Sequence, residues 1–416
     1  MEKQHPSPRE QASNRILYLV SLNHMVNDGS VYLLSSLFPI TVSLFALSVV
    51  QVGTIVGVGY LTSVIFQAVI GRYSENRSSR NLLAIGMAII CVSVVSFVFA
   101  TGFFTLLGSV VVLRLGSSFF HPVGVSAVSR SYEGSRQEKA LGFQSAFGNL
   151  GILIVFLASV PVYTIIGWRA TFIGFAVVLA FDIVVTLALF KNPPPASRRD
   201  IPRGRSNRSS GHKDLIGIPF FFVATMIISG GSYAVVLNFA NLLFQGQIHL
   251  TAFLSNVLVS VWVISAFVGA ISTGRWAGGV QRGTHLTLAY LFAALSIISF
   301  TYVSGNLPFL FLTLIANGFM ISATYPLVYS ELSKHLENEP ERKGRSFGII
   351  FSAQTIGSSL VGFASGYISQ MLGLPIAFVS VGILTFMGSV LAFIWSRREG
   401  KDSALHASLI SSSSAT

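Results

Sequence analysis

The stretch Ser21-Leu22-Asn23-His24-Met25-Val26-Asn27-Asp28 places two amides, an imidazole and a carboxyl inside a long apolar run. In a helix Asn23 and Asn27 stack one above the other, as do His24 and Asp28, and the two pairs are one residue out of phase. All four can therefore line a single stripe covering roughly a third of the circumference. A carboxyl in a poorly solvated cavity can take up and release a proton under physiological conditions, which makes Asp28 the first candidate for a proton-carrying group. The competing role is structural: a permanent hydrogen bond from Asn27 or Ser30 that only holds helices together.

Other polar groups interrupt the later apolar runs. Arg114 cannot lose its charge, so within a bilayer it needs an anionic or carbonyl partner. It suits an anionic substrate, competition with a proton for Asp28, or a fixed ion pair. His121 precedes Pro122, which removes an amide donor and is expected to kink its helix. Imidazole both donates and accepts, so His121 suits polar contact with a substrate or a second proton site. Tyr325-Pro326 repeats this pattern later in the chain, with a hydroxyl in place of the imidazole. Tyr233, Asn238 and Gln354 are further cavity candidates, accompanied by Ser229, Ser232, Asn241 and Asn317. Such residues also serve as interhelical hydrogen bonds worth about 0.6 kcal/mol each, so each alone carries little. Asp182 has only apolar neighbours, Phe181 and Ile183 to Val185, and ranks below Asp28.

The elements that must hold these groups follow from composition. Of 416 residues, 52% are hydrophobic and 10% charged. A soluble protein would carry about 25% charged residues, so this chain cannot cover a water-facing surface. The apolar runs are long and continuous, which indicates membrane helices rather than a barrel. Twelve spans are expected, six within residues 15–190 and six within 215–396. Residues 1–14 and 397–416 form polar tails, and 191–214 a Pro-, Ser- and Arg-rich linker. The first apolar segment contains Asp28 instead of a small-residue cleavage site, so no cleavable leader is expected. Cys91 is the single cysteine, which excludes an intrachain disulfide and a cysteine-ligated metal.

The net charge of +12 would suit nucleic acid, but its distribution argues otherwise. Of the 27 Lys and Arg residues, all but Arg114 and Arg169 fall in the tails and the alternate loops that share their side. That asymmetry puts both termini in the cytoplasm. The halves also repeat: Arg136 matches Arg342, Gly142 Gly348, Gly151 Gly357, Gly167 Gly373 and Phe172 Phe378. Gly71-Arg72-Tyr73 likewise matches Gly274-Arg275-Trp276. Two parallel copies of a six-helix bundle are a transporter signature, with the substrate site between them.

These features resemble the major facilitator superfamily over roughly residues 15–396. The loop Gly71-Arg72-Tyr73-Ser74-Glu75-Asn76-Arg77-Ser78-Ser79-Arg80 resembles the family's signature loop, with Glu75 in place of the usual aspartate. Arg114 resembles the family's buried arginine, associated with proton-coupled members. Gly142, Gly148, Gly151 and Pro161 loosely resemble the glycine-proline pattern of antiporters. SLNHMVND, Gly116 to Pro122, Phe143-Gln144 and Gly148-Asn149-Leu150-Gly151 look like fosmidomycin-resistance-type efflux proteins. The resemblance implies an all-α integral membrane fold of two pseudo-symmetric six-helix bundles in the plasma membrane, working as a monomer by alternating access.

The expected function is proton-coupled export of a small organic compound, with protons, that compound and membrane lipids as partners and no nucleic acid. Asp28 and Arg114 would couple the proton. Asn23, His24, Asn27, His121, Tyr233, Asn238, Tyr325 and Gln354 would line the cavity. Gly71, Arg72, Glu75, Arg77 and Arg80 would form a cytoplasmic gating loop, Glu75 sitting against a helix N-terminus. No catalytic residue or cofactor is expected. A metal role is not expected either, because His24 and His121 lie on separate spans and no HExxH pair exists. The alternatives are a proton symporter or uniporter importing a metabolite, and an intramembrane enzyme using His24, Asp28 and His121. Direct ATP drive is not expected, since GxxxxGK[ST] is absent.

Overall fold

A computed structural model describes residues 8–74, 77–132, 134–192, 219–276, 282–302, 306–336 and 340–413. All regular elements among them are helical. They are α1 (Pro8–Leu44), α2 (Val49–Ser74), α3 (Ser79–Phe97) and α4 (Phe103–Ser117). The chain of α4 continues through a π-turn, His121–Val125, and a last helical turn, Ser126–Ser129. The stretch Gly134–Leu189 breaks at Gly167, whose φ of 77° and ψ of 175° are not helical, giving α5 (residues 134–166) and α6 (residues 168–189). After the linker come α7 (Phe220–Ile248), α8 (Ala252–Trp276), α9 (Arg282–Ser299), α10 (Leu307–His335), α11 (Pro340–Leu372) and α12 (Leu374–Ser413).

Nine helical stretches among the described residues are long and apolar enough to cross a bilayer, and one of them, Lys139–Leu189, has 51 residues. At 1.5 Å per residue that one is long enough for two passes. The first helix starts at Pro8, so the polar N-terminal segment is helical for its second half rather than a tail. Its end is tied down: Ser13 Oγ donates to the Ser131 carbonyl at 2.9 Å and the Tyr132 hydroxyl donates to Asn14 Oδ1 at 2.7 Å. Similarly α12 runs on to Ser413, through the segment expected as a C-terminal tail. Most of the linker lies outside the described residues.

The chain divides into two compact units that do not coincide with its sequence halves. The first comprises Met1–Arg203, Ala234–Ile264 and Ser359–Ala377; the second comprises Gly204–Tyr233, Ser265–Ser358 and Phe378–Thr416. In the first, α1 packs on α5 and α6, α3 on α4 and α6, and α2 on α4. One end of this bundle is closed by an apolar cluster of Leu19, Val20, Leu83, Phe120, Val128 and Phe190. The second unit has its own core of Phe222, Met226, Tyr290, Leu327, Leu332 and Ile350.

Close helix packing explains the repeated glycines. Membrane helices gain nothing from hiding apolar surface from lipid, so small residues that let backbones approach are favoured at contacts. A Cβ on Gly151 would run into the Met25 carbonyl, and one on Gly357 into the Ile227 carbonyl. The repeat thus preserves the same α1–α5 and α7–α11 crossings. Gly167 and Gly373 form a second matched pair, with φ of 77° and 91° at the turns into α6 and α12, a region that L side chains avoid.

Candidate functional site

Helix periodicity brings His24 and Asp28 together, and their Nε2 and Oδ2 lie 3.2 Å apart on α1. The neighbouring helices complete the setting. From α5, the Gln144 backbone carbonyl lies 2.9 Å from His24 Nδ1. The Gln144 side-chain Nε2 lies 2.6 Å from the same nitrogen, so Nδ1 meets both a carbonyl acceptor and an amide donor, and its role follows the ring's tautomer. The contact of His24 Nε2 with the Asp28 carboxyl is an ion pair when the ring is protonated.

From α4, Phe120 stacks on His24 at 4.5 Å between ring centroids, and His121 meets it edge-on at 5.5 Å. The π-turn puts His121 there. Pro122 has no amide to give to the preceding turn, and the helix absorbs the loss as a local widening at His121–Val125 instead of a simple kink. Asn27 Nδ2 donates to Asp28 Oδ1 at 2.8 Å. Gly148 on α5 closes the site: a Cβ there would lie 2.7 Å from His24 Cε1 and Nε2 and 2.8 Å from Asp28 Oδ2.

The separation of His24 and His121 in sequence does not keep them apart. One ligand atom from each of His24, Asp28 and His121 lies within 4.8 Å of the others. The reason given above for setting a metal aside therefore fails on geometry. The arrangement suits a proton held by the pair, with His121 alongside.

Asn23 does not share this setting. It is fully buried and turns to α6, where its Nδ2 donates to Asp182 Oδ1 and Oδ2 at 2.9 and 3.0 Å and to Thr186 Oγ1 at 2.8 Å. Asp182 thus has a polar companion, Thr186, one helical turn on, both on the inner face of α6.

Arg114 is buried, and among the described residues no carboxylate reaches it. Its guanidinium lies 4.2 Å above the Tyr60 ring, a cation–π contact. Tyr60 in turn shares a 3.0 Å hydrogen bond with the Tyr32 hydroxyl. Arg114 Nε is buried without a hydrogen-bond partner. Among the described residues the structure therefore gives this positive charge no matching anion, and it does not join Arg114 to Asp28.

The remaining candidates fall in three places. Asn238 belongs to a polar clasp in the first unit, at the end of α1 remote from the N-terminus. Ser35 Oγ donates to Asn238 Oδ1 at 2.7 Å, and Asn241 Nδ2 donates to the Ser35 carbonyl at 2.9 Å and to Asn256 Oδ1 at 3.1 Å. Asn256 Nδ2 donates to the Ser36 carbonyl at 2.8 Å. In the same unit, α2 and α11 meet backbone to backbone: a Cβ on Gly366 would lie 2.7 Å from Gly53 Cα, and Ser359 Oγ donates to the Gly57 carbonyl at 2.8 Å. In the second unit Tyr325 donates to the Ser229 carbonyl at 3.1 Å and meets Tyr233 edge-on at 6.1 Å, while the Gln354 backbone carbonyl packs against Gly230. In the loop after α2, Arg77 lies 4.1 Å above the Tyr73 ring. Arg80 N donates to Asn192 Oδ1 at 3.0 Å, and Gly71 and Arg72 close α2. Glu75 lies outside the described residues.

No site role for Gln144, Tyr60 or Gly148 followed from the sequence. The signal for Asp182 was present as the spacing Asp182 to Thr186, which puts both on one helical face.

Comparison with known proteins agrees with this architecture. The family model of the Major Facilitator Superfamily matches residues 20–361. The chain is similar to an uncharacterized MFS-type transporter, YfnC, of Bacillus subtilis, at 23% identity over 91% of this chain and 92% of the relative. It is also similar to the fosmidomycin resistance protein of Escherichia coli, at 23% identity over 93% and 94%. Among solved structures it resembles a bacterial homolog of the human lysosomal transporter Spinster, in an inward-facing and occupied conformation, with a TM-score of 0.76 and 13% identity over 94% of this chain and 98% of that one. It resembles a D-xylose-proton symporter with a TM-score of 0.74 and 13% identity over 91% and 97%. At such identities the structural likenesses speak to the fold alone. The family match spans most of the chain, and the protein belongs to the major facilitator superfamily of membrane transporters.

Proposed function

We propose that this protein exports a small organic compound in exchange for protons by alternating access. Its twelve helices would each cross the plasma membrane, with both termini in the cytoplasm. The observation that carries the reading is the His24–Asp28 contact at 3.2 Å, an imidazole and a carboxyl between which a proton can be held. A carrier that gives up this proton on one side of the membrane and regains it on the other is driven by the proton gradient. Arg114 supplies a fixed positive charge for a substrate bearing an anionic group, and His121 and Asn27 shape the cavity beside the proton. The clasp of Ser35, Asn238, Asn241 and Asn256 serves as the outer gate, and the loop from Gly71 to Arg80 as the cytoplasmic latch. Export is favoured over import by the likeness to the fosmidomycin resistance protein.

The test uses purified protein in proteoliposomes loaded with fosmidomycin or, in parallel, with other anionic and neutral small molecules. An acidic exterior should accelerate efflux of at least one compound. Asp28→Asn should remove that acceleration while leaving exchange of labelled for unlabelled compound. A proton gradient without effect on any compound would refute coupling, and uptake along with the protons would replace antiport by symport.

A further inference from the structure

Beyond the His24–Asp28 pair, α6 carries a buried carboxyl to which the proposed cycle gives no role. Asp182 on α6 is 1% exposed, between Phe181 and Val184, which face outward at 65% and 62%. The groups facing it are few. From α1 there is Asn23, and on α6 itself Thr186. Among the described residues no Lys, Arg or His lies within ion-pair distance of Asp182. His24 is the nearest in sequence to its partner, and it is engaged with Gln144 and Asp28.

An ionised carboxylate offers about four acceptor positions, and removing one from water without a cation costs several kcal/mol. Here a single neutral amide nitrogen spans both oxygens, at 2.9 and 3.0 Å, and shares itself with Thr186. That is too little to hold a charge at this depth, so the group is at home as the acid. The amide is suited to both forms. A half-turn of the Asn23 side chain replaces its donor by Oδ1, which is buried and has no hydrogen-bond partner, and that oxygen can accept the acid's O–H.

We propose that Asp182 is a second proton-binding site of the carrier, built from α6 and read by Asn23 on α1. Because Asn23 directly precedes His24, a shift of α1 against α6 that disturbs one site disturbs the other. Losing Asn23 would remove the amide donor that stabilises the carboxylate and drive Asp182 to the acid, so a cycle that parts and rejoins α1 and α6 takes up and releases a second proton. The inference goes beyond the His24–Asp28 reading and does not depend on it.

Infrared difference spectroscopy on the purified full-length protein, titrated between about pH 5 and pH 9, follows the carbonyl stretch of a protonated carboxyl. The expected result is a titrating band that persists in Asp28→Asn and disappears in Asp182→Asn. Asn23→Ala should move the band's frequency and its midpoint, which tests the proposal even if Asp182→Asn does not fold. A band that is present but does not titrate would make Asp182 a structural acid and overturn the proposal. So would the absence of any such band in Asp28→Asn, or a band unmoved by Asn23→Ala. Failure of proton-driven flux to depend on Asp28 would refute the first site and leave this band where it is.

Discussion

Gly148→Ala offers the sharpest test of the site, because one methyl group meets three of its atoms. Its Cβ would lie 2.7 Å from His24 Cε1 and Nε2 and 2.8 Å from Asp28 Oδ2. Carbon contacts are most favourable at about 3.5–4.0 Å, so the ring must retreat by roughly 0.8 Å. It can only move away from α5, and α5 also carries the Gln144 carbonyl that holds Nδ1 at 2.9 Å. A shift of that size along the bond exceeds hydrogen-bond range. Overpacking of this kind costs about 1–3 kcal/mol, and an orphaned buried polar group adds a similar amount. Gly142→Ala, on the same helix with nothing within 4 Å of its Cβ, is the control and should gain about 0.5–1 kcal/mol of helix propensity. The assay compares thermal unfolding midpoints of the purified variants and their proton-driven flux in proteoliposomes. Gly148→Ala should unfold earlier and lose proton dependence, and Gly142→Ala should do neither. Equal behaviour of the two variants would refute the placement of His24 and Asp28 against α5.

Three further outcomes follow from the same geometry. Arg114→Ala should weaken binding of anionic compounds tenfold or more, about 1.4 kcal/mol, while neutral compounds bind unchanged in a fluorescence or calorimetric titration. Uniform weakening would assign Arg114 a structural role. Gly366→Val forces α2 and α11 apart, since the atoms facing it are the backbone of Gly53 and the Val49 carbonyl. In a Cys91→Ser background, a cysteine placed at Ser359 should then react faster with a membrane-impermeant maleimide; an unchanged rate would remove this seam from the gate. Asn241→Ala withdraws donors from the Ser35 carbonyl and Asn256 Oδ1, and should lower unfolding stability by about 1 kcal/mol while raising the same labelling rate.

The sequence alone determined what composition and helical period control. Ten per cent charged residues cannot clothe a soluble surface, and long apolar runs in a bilayer must close their hydrogen bonds as helices. The repeat was legible because paired glycines, such as Gly151 with Gly357 and Gly167 with Gly373, meet the same steric demand twice. The contact of His24 with Asp28 was legible because four residues complete roughly one turn of one helix. Period says nothing about which neighbouring helix a side chain will meet, for that depends on how each helix is rotated and how closely it packs. Tertiary structure alone therefore sent Asn23 to Asp182, although its spacing groups it with Asn27. It brought the Gln144 carbonyl and side-chain amide to one ring nitrogen of His24. It set Arg114 on Tyr60, and drew Asn238 into a clasp with Ser35. These contacts join residues far apart in the chain, and only the packed bundle places them within hydrogen-bonding distance.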